Sequence, residues 1–300
     1  PENVWPGKSC RYSEASVILY SLHSSASVSG SYTVAIIQAL GTQMSSTSIQ
    51  NKKIILTGAS SGIGRAAAIQ LAAQGAEMFL IARRQEELEA VEKEILEAGG
   101  RVHINAVDLS DLDALDATVD DILAEHGKID VLINNAGRSI RRPVAKSLDR
   151  FHDYERCMQI NYFAAMRLIL KVLPAMLEAG DGHIVNVLTW GTLLPAANFT
   201  AYNASKSALG AATQGMDAEL RRKGIPFTSI HYPLVHTAMS APTKHYAKIP
   251  GMTPEQAGKW IVKAVRKRPA RIAPSYAVMG GVNNTLFPGL SAAVAGKLKF

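Results

Sequence analysis

From Lys53 onward, short apolar runs alternate with helical patterns, and the first turn in that alternation is rich in glycine. No other feature constrains the fold as strongly. KIILT (53–57) reads as a β run, followed by Thr57-Gly58-Ala59-Ser60-Ser61-Gly62-Ile63-Gly64 and a helix to Gln74 that Gly75 closes. EMFLIA (77–82), RVHINAV (101–107), IDVLIN (129–134), HIVNVL (183–188), PFTSIHY (226–232) and ARIA (270–273) read as six further strands. Helices are expected at 85–98, 111–126, about 149–178, 201–222 and 254–267. Strands separated by helices need crossover connections. The expected fold is therefore α/β, one domain built on a doubly wound, parallel, seven-stranded sheet covered on both faces.

The glycine turn carries chemistry as well as geometry. Glycines at 58, 62 and 64 let the backbone turn tightly, approach a pyrophosphate and pack the next helix on the sheet. The helix start then offers free N–H groups and a partial positive charge to phosphate. Such a turn also occurs as a plain tight connection, but after the first strand and before a helix it points to a Rossmann-type dinucleotide site. Nineteen residues after Gly64 the second strand ends in Ala82-Arg83-Arg84. An acid there would bind the ribose 2′-hydroxyl of NAD; an arginine fork suits a 2′-phosphate. The pair favours NADP(H), against the alternative of two solvated arginines at a helix start.

Composition narrows the rest. Of the 300 residues 47% are apolar, which excludes a disordered chain and allows a full core. No run reaches the ~18 uninterrupted apolar residues of a membrane span, so an integral membrane protein is not expected. Two cysteines, Cys10 and Cys157, make neither a disulfide framework nor a cysteine-built zinc site, and no metal site is read. A reducing, cytoplasmic setting fits. The net charge is +7, and from Lys206 to Phe300 there are 14 Lys/Arg against three acids, Asp217, Glu219 and Glu255. That basic third suggests an anionic substrate, cofactor or membrane surface rather than nucleic acid. Residues 1–50 read differently from the rest: Ser/Thr-rich over 21–50 and without periodicity, they are expected to be a disordered leader or a non-native extension. The domain is then 51–275, and 276–300 an amphipathic tail touching a membrane or a second subunit.

Asn134-Asn135-Ala136-Gly137 ends the fourth strand, and Tyr202-Asn203-Ala204-Ser205-Lys206 lies on a helix, with Tyr and Lys four apart on one face. A phenol is a proton donor at neutral pH, and a nearby ammonium favours its phenolate, easing transfer either way. Thr189 lies thirteen residues upstream of Tyr202 and Asn161 on the preceding helix. In this order and spacing the motifs TGxxxGxG, NNAG and YxASK resemble the short-chain dehydrogenase/reductase family over about residues 50–275.

The resemblance implies a role for each matching residue. Tyr202 would be the general acid/base, Lys206 would hold the nicotinamide ribose and tune Tyr202, and Asn161 would anchor a water of the proton relay. Thr189 would orient substrate. Gly58, Ser60, Ser61, Gly62, Ile63, Gly64 and Arg83 would bind the cofactor's phosphates. Asp108 and Leu109 would meet adenine, Asn135, Ala136 and Gly137 the ribose side, and Val235 and Thr237 the carboxamide. Two positions depart from the family pattern: Thr189 replaces a serine, and Tyr232-Pro233 stands where Pro-Gly is usual. Homodimers or homotetramers are implied as well.

Further strings resemble the bacterial fatty acyl-CoA reductases of this family: Arg138-Ser139-Ile140-Arg141-Arg142, the run 149–163, PLVHTAMSAPTKHY (233–246) and Arg268-Pro269-Ala270-Arg271-Ile272-Ala273. The implied substrate is a fatty acyl-CoA, the product an aldehyde; the alternative is a simpler ketone or alcohol of 3-oxoacyl or hydroxysteroid type. Arg138, Arg141 and Arg142 would meet coenzyme A phosphates or form a solvated face, as would Lys244, His245 and Lys248. Cys157 lies in a helical pattern without a partner histidine and is read as core.

Overall fold

The computed structural model describes residues 46–297, which form one domain. Seven strands, all parallel, lie in the order β3-β2-β1-β4-β5-β6-β7. They are β1 (Lys53–Thr57), β2 (Glu77–Ala82), β3 (Arg101–Ala106), β4 (Val131–Asn134), β5 (His183–Thr189), β6 (Phe227–Tyr232) and β7 (Arg271–Ile272). The helices are α1 (Gly62–Ala72), α2 (Gln85–Glu97), α3 (Leu112–His126), α4 (Phe151–Met158), α5 (Ala164–Ala179), α6 (Thr200–Leu220), α7 (Pro254–Lys267), α8 (Ser275–Leu286) and α9 (Pro288–Lys297). This is the doubly wound, Rossmann-type α/β sheet expected.

Why these strands are continuously apolar is visible in the core. Alternate residues of a strand face opposite sides, and here both sides are covered. Ile54, Leu56, Met78 and Leu80 pack on one face with α1 and α7, while Ile55, Phe79, Ile81 and Leu132 pack on the other with α3 and α5. The helix starts follow local signals. Asp111 caps α3 by accepting the Ala114 N–H at 3.0 Å. Thr253 and Gln256 form a reciprocal capping box on α7, with Pro254 opening the helix.

Two boundaries move. Ile49 is only 3% exposed within the core, and the Thr47 N–H reaches the Arg266 carbonyl at 2.8 Å, so packing begins before Asn51. The remainder of the expected leader, residues 1–45 with Cys10, lies outside the described residues. At the other end, 275–297 forms two helices whose large apolar side chains are mostly exposed.

One helical stretch among the described residues, Phe151–Ala179, is long and apolar enough to cross a membrane by length and composition. Its Leu168, Ile169, Val172 and Met176 are buried in the core beneath the sheet. A π-helical turn, Gln159–Phe163, interrupts it at Asn161. The sheet order reverses between β1 and β4, and at that switch point the carboxyl ends of the strands bring the glycine turn and the Asn134–Gly137 loop together.

Candidate active site

β1 ends at Thr57, whose Oγ1 accepts the N–H groups of Asn135 and Ala136 at 3.1 Å each. Asn135 Nδ2 donates to the Thr57 carbonyl at 2.9 Å and the Gly58 carbonyl at 3.3 Å. The Asn135 side chain therefore straps two loops together. Closeness dictates the glycines. Gly58 has φ +68°, and a Cβ there would lie 2.8 Å from Ala136 Cα; one on Gly64 would strike the Gly58 carbonyl and sit 2.6 Å from Asn135 Nδ2. Ser61, extended at φ −157°, precedes α1 without capping it through its side chain. The result is a glycine cradle at a helix N-terminus, without side chains at Gly58, Gly62 and Gly64, which fits a dinucleotide pyrophosphate.

The two arginines after β2 diverge. Arg83 turns towards Asp108, Nη1 to Oδ2 at 3.9 Å, and is largely exposed. Arg84 Nη2 reaches Ser61 Oγ at 3.2 Å and Ser60 Oγ at 3.4 Å while also pairing with Glu87. The arginine that touches the glycine turn is thus Arg84. Asp108 accepts the Ser110 N–H and hydroxyl at 2.9 and 2.7 Å, and these bonds hold its carboxyl below the usual range. Leu109, which follows it, belongs to the core cluster that holds Ile55 and Phe79. Beside Asp108 opens a cavity of about 380 Å³, lined by Asp108, Ser110, Arg138, Arg156, Gln159 and Ile160.

Thr189 closes β5, and α6 presents Tyr202 one turn before Lys206. Burial pushes the Tyr202 phenol up to about 12, the neighbouring Tyr246 phenol adds to that, and the hydrogen bond with Thr189 draws it back. Lys206, 3% exposed, donates to the Val187 carbonyl at 2.8 Å, and burial lowers it to about 8. Desolvation dominates both groups, and the ammonium's hydrogen bond goes to a strand carbonyl. A Cβ on Gly137 would lie 3.2 Å from Asn161 Oδ1 and 3.3 Å from Lys206 Nζ, so the Asn134–Gly137 loop abuts these residues.

Asn161 is fully engaged through its side chain. Oδ1 accepts the Arg138 N–H at 2.7 Å; Nδ2 donates to the Arg138 carbonyl at 2.9 Å and to Ser205 Oγ at 2.8 Å. Ser205 Oγ in turn donates to the Tyr202 carbonyl at 2.7 Å. Asn161 thus ties the loop after β4 to the turn of α6 that carries Tyr202, and the π-helical turn aims it there. Val235 bridges to Met252 in parallel, which carries the chain past Pro233 and sets Thr237 Cγ2 3.1 Å from where a Gly62 Cβ would stand. Thr237 therefore reaches the glycine turn despite the departure from Pro-Gly.

The expected cations separate. Arg138 lines the cavity beside Asp108, whereas Arg142 Nε pairs with the buried Asp153 at 2.8 Å, where Arg150 also binds. Cys157 is wholly buried, and burial pushes its thiol up to about 11, consistent with core packing. Two residues of the site escaped the sequence reading. Ser205 could have been found from its place three residues after Tyr202; Tyr246, in the 3₁₀ turn Lys244–Lys248, carries no local signal. Towards the other ends of the strands, Glu77, His103 and His126 bring ligand-type atoms within 4.8 Å of one another, with Phe79 stacked on His103.

The family model described as short chain dehydrogenase matches residues 52–247. A fatty acyl-CoA reductase of Mycobacterium tuberculosis is 48% identical over 82% of this chain and 84% of its own length. A fatty acyl-CoA reductase of Acinetobacter baylyi is 46% identical over 82% and 88%. Among solved structures, a metagenomic short-chain oxidoreductase in complex with NADP superposes with a TM-score of 0.66 and 30% identity, over 76% of this chain and 98% of that one.

Proposed function

The chain belongs to the short chain dehydrogenase family, and from that premise we propose that this oxidoreductase reduces a fatty acyl-CoA thioester to the aldehyde with NADPH. The observation that carries the reading is the Thr189–Tyr202 hydroxyl pair, with Lys206, one turn further along α6, against the Asn134–Gly137 loop. The acyl-CoA substrate is supported by the names of the two relatives. NADP(H), when bound, supplies the hydride. Gly58, Ser60, Ser61, Gly62, Ile63 and Gly64 would hold its pyrophosphate, and Arg83 with Arg84 its 2′-phosphate. Asp108 would face adenine, the backbone of Leu109, Asn135, Ala136 and Gly137 the adenosine side, Lys206 the nicotinamide ribose, and Val235 and Thr237 the carboxamide.

This chain's own groups then manage charge and protons. The Thr189 hydroxyl donates to the thioester carbonyl oxygen and holds its developing negative charge. Tyr202, kept protonated by burial, gives that oxygen its proton. The hemithioacetal so formed loses the thiol as its C–S bond breaks, leaving the aldehyde. Asn161 and Ser205 are positioning residues that keep Tyr202 aimed. The test is NADPH oxidation with palmitoyl-CoA and with a panel of ketones. Thiol release in step with NADPH consumption is expected; oxidation with ketones alone would move the protein to the simpler carbonyl-reductase reading.

A further inference from the structure

The helices α8 and α9 contribute nothing to the chemistry above, yet α8 sits on the rim of the site and α9 follows it directly. The rings of Tyr276 and Trp190, the residue after Thr189, pack edge to face with centroids 5.9 Å apart. A Cβ on Gly280 would lie 2.7 Å from Leu194, and one on Gly281 3.4 Å from the Leu193 carbonyl oxygen. Glycines therefore seat α8 closely on the loop that leaves the candidate active site. The outward side of the two helices is different. Met279, Val282, Leu286, Phe287, Leu290 and Val294 are 50–68% exposed. Monomeric proteins rarely expose apolar side chains in such a cluster without a partner for it.

Charge identifies the partner. No Asp, Glu, Lys or Arg occurs from Ile272 to Gly296; Arg271 precedes this stretch, Lys297 follows it, and no acid occurs after Glu255. An uncharged apolar strip bordered by cations complements an anionic lipid surface. A second copy meeting it about a two-fold axis would set the same cationic border against itself. The helices, 12 and 10 residues long, fall well short of the ~20 needed to span a bilayer, so they would lie in the interface.

We infer that the α8–α9 hairpin docks the protein on an anionic membrane surface, with the mouth of the site at the lipid boundary. If the acyl-thioester reading of that site holds, a long acyl chain would reach Thr189 and Tyr202 without its tail passing through water.

The test uses the full chain and no substrate. Vesicles of phosphatidylcholine, alone or with one third phosphatidylglycerol, are mixed with protein and sedimented, and amide hydrogen exchange is read with and without them. The expected result is at least tenfold stronger partitioning onto the anionic vesicles, weakened by salt, with new protection over 275–297. Leu286→Glu combined with Phe287→Glu should lower partitioning at least tenfold with NADPH affinity unchanged, while Leu286→Met with Phe287→Leu should retain it. Wild-type protein that stays in the supernatant, or protection falling elsewhere, overturns the inference without recourse to a variant. So does a glutamate pair that leaves vesicle binding intact, or one that halves the vesicle-free mass while the wild type ignores vesicles, the mark of a second copy on the strip. Because binding is read without turnover, vesicle docking by a protein that reduces only ketones would reject the acyl-CoA reading and leave this one standing.

Discussion

Lys206 Nζ donates to the Val187 carbonyl at 2.8 Å, two residues before β5 ends at Thr189. The bond anchors α6 to the strand that ends in Thr189, and it holds a buried ammonium whose proton is lost near pH 8. In the unfolded chain the same group keeps its proton to about 10.5. Between these values the unfolded state binds more protons, so this group adds stability as pH rises through the window. A ribose contact needs the charged form. NADPH affinity measured by fluorescence titration should therefore weaken above pH 8, by up to about tenfold per pH unit, and Lys206→Met should flatten that limb while weakening binding at pH 7.

Tyr202→Phe should cut turnover by ~10²–10⁴-fold, the usual contribution of a positioned proton donor, while NADPH binding stays within a fewfold. Because burial holds the phenol near 12, the reduction should show no ionisation of Tyr202 between pH 6 and 8. Steady-state kinetics beside a binding titration checks both; near-normal turnover would remove Tyr202 from the chemistry.

Arg84 rests on the serines of the glycine turn, and Arg83 turns to Asp108. If both face a 2′-phosphate, Arg83→Asp and Arg84→Asp should each lower kcat/KM for NADPH relative to NADH, with the larger loss at Arg84. The double variant should prefer NADH, since two carboxylates would oppose the phosphate. An unchanged cofactor ratio in all three would make the pair a solvated surface feature.

Gly64→Ala places a methyl against the Gly58 carbonyl and Asn135 Nδ2, neither of which can retreat without breaking the strap between the loops. Overpacking of this kind costs about 1–3 kcal/mol. A lowered melting temperature is expected together with loss of NADPH binding, whereas Gly99→Ala, in open space, should lower stability through its positive φ alone and leave binding intact.

Cys157→Ala tests the route through the thioester. The thiol is fully buried, raised to about 11 and packed near the Arg138 carbonyl, so no acyl group should transfer to it. Activity should stay within a fewfold of wild type, with a modest loss of stability from the vacated volume. An acyl adduct on Cys157, detected by mass spectrometry after substrate addition, would rule the direct route out.

What the sequence determined by itself was local and periodic. Apolar runs of five or six residues separated by helical patterns specified the strands; KIILT and EMFLIA are β1 and β2 to the residue. Glycine spacing specified the cradle, and a four-residue interval put Tyr202 and Lys206 on one helix face. These signals are legible because each is set by backbone geometry within a few residues. Only the tertiary structure decided how distant side chains share partners. It turned Lys206 to Val187 on another element, spent Arg142 on Asp153, made Asn135 and Asn161 into clamps between loops, and brought Arg84 to the glycine turn. It drew Ile49 into the core from a segment without periodicity, and it left α8, after Pro274, seated on its glycines with its apolar side outward. Such choices depend on distances set once the whole sheet has assembled, and no interval along the chain encodes them.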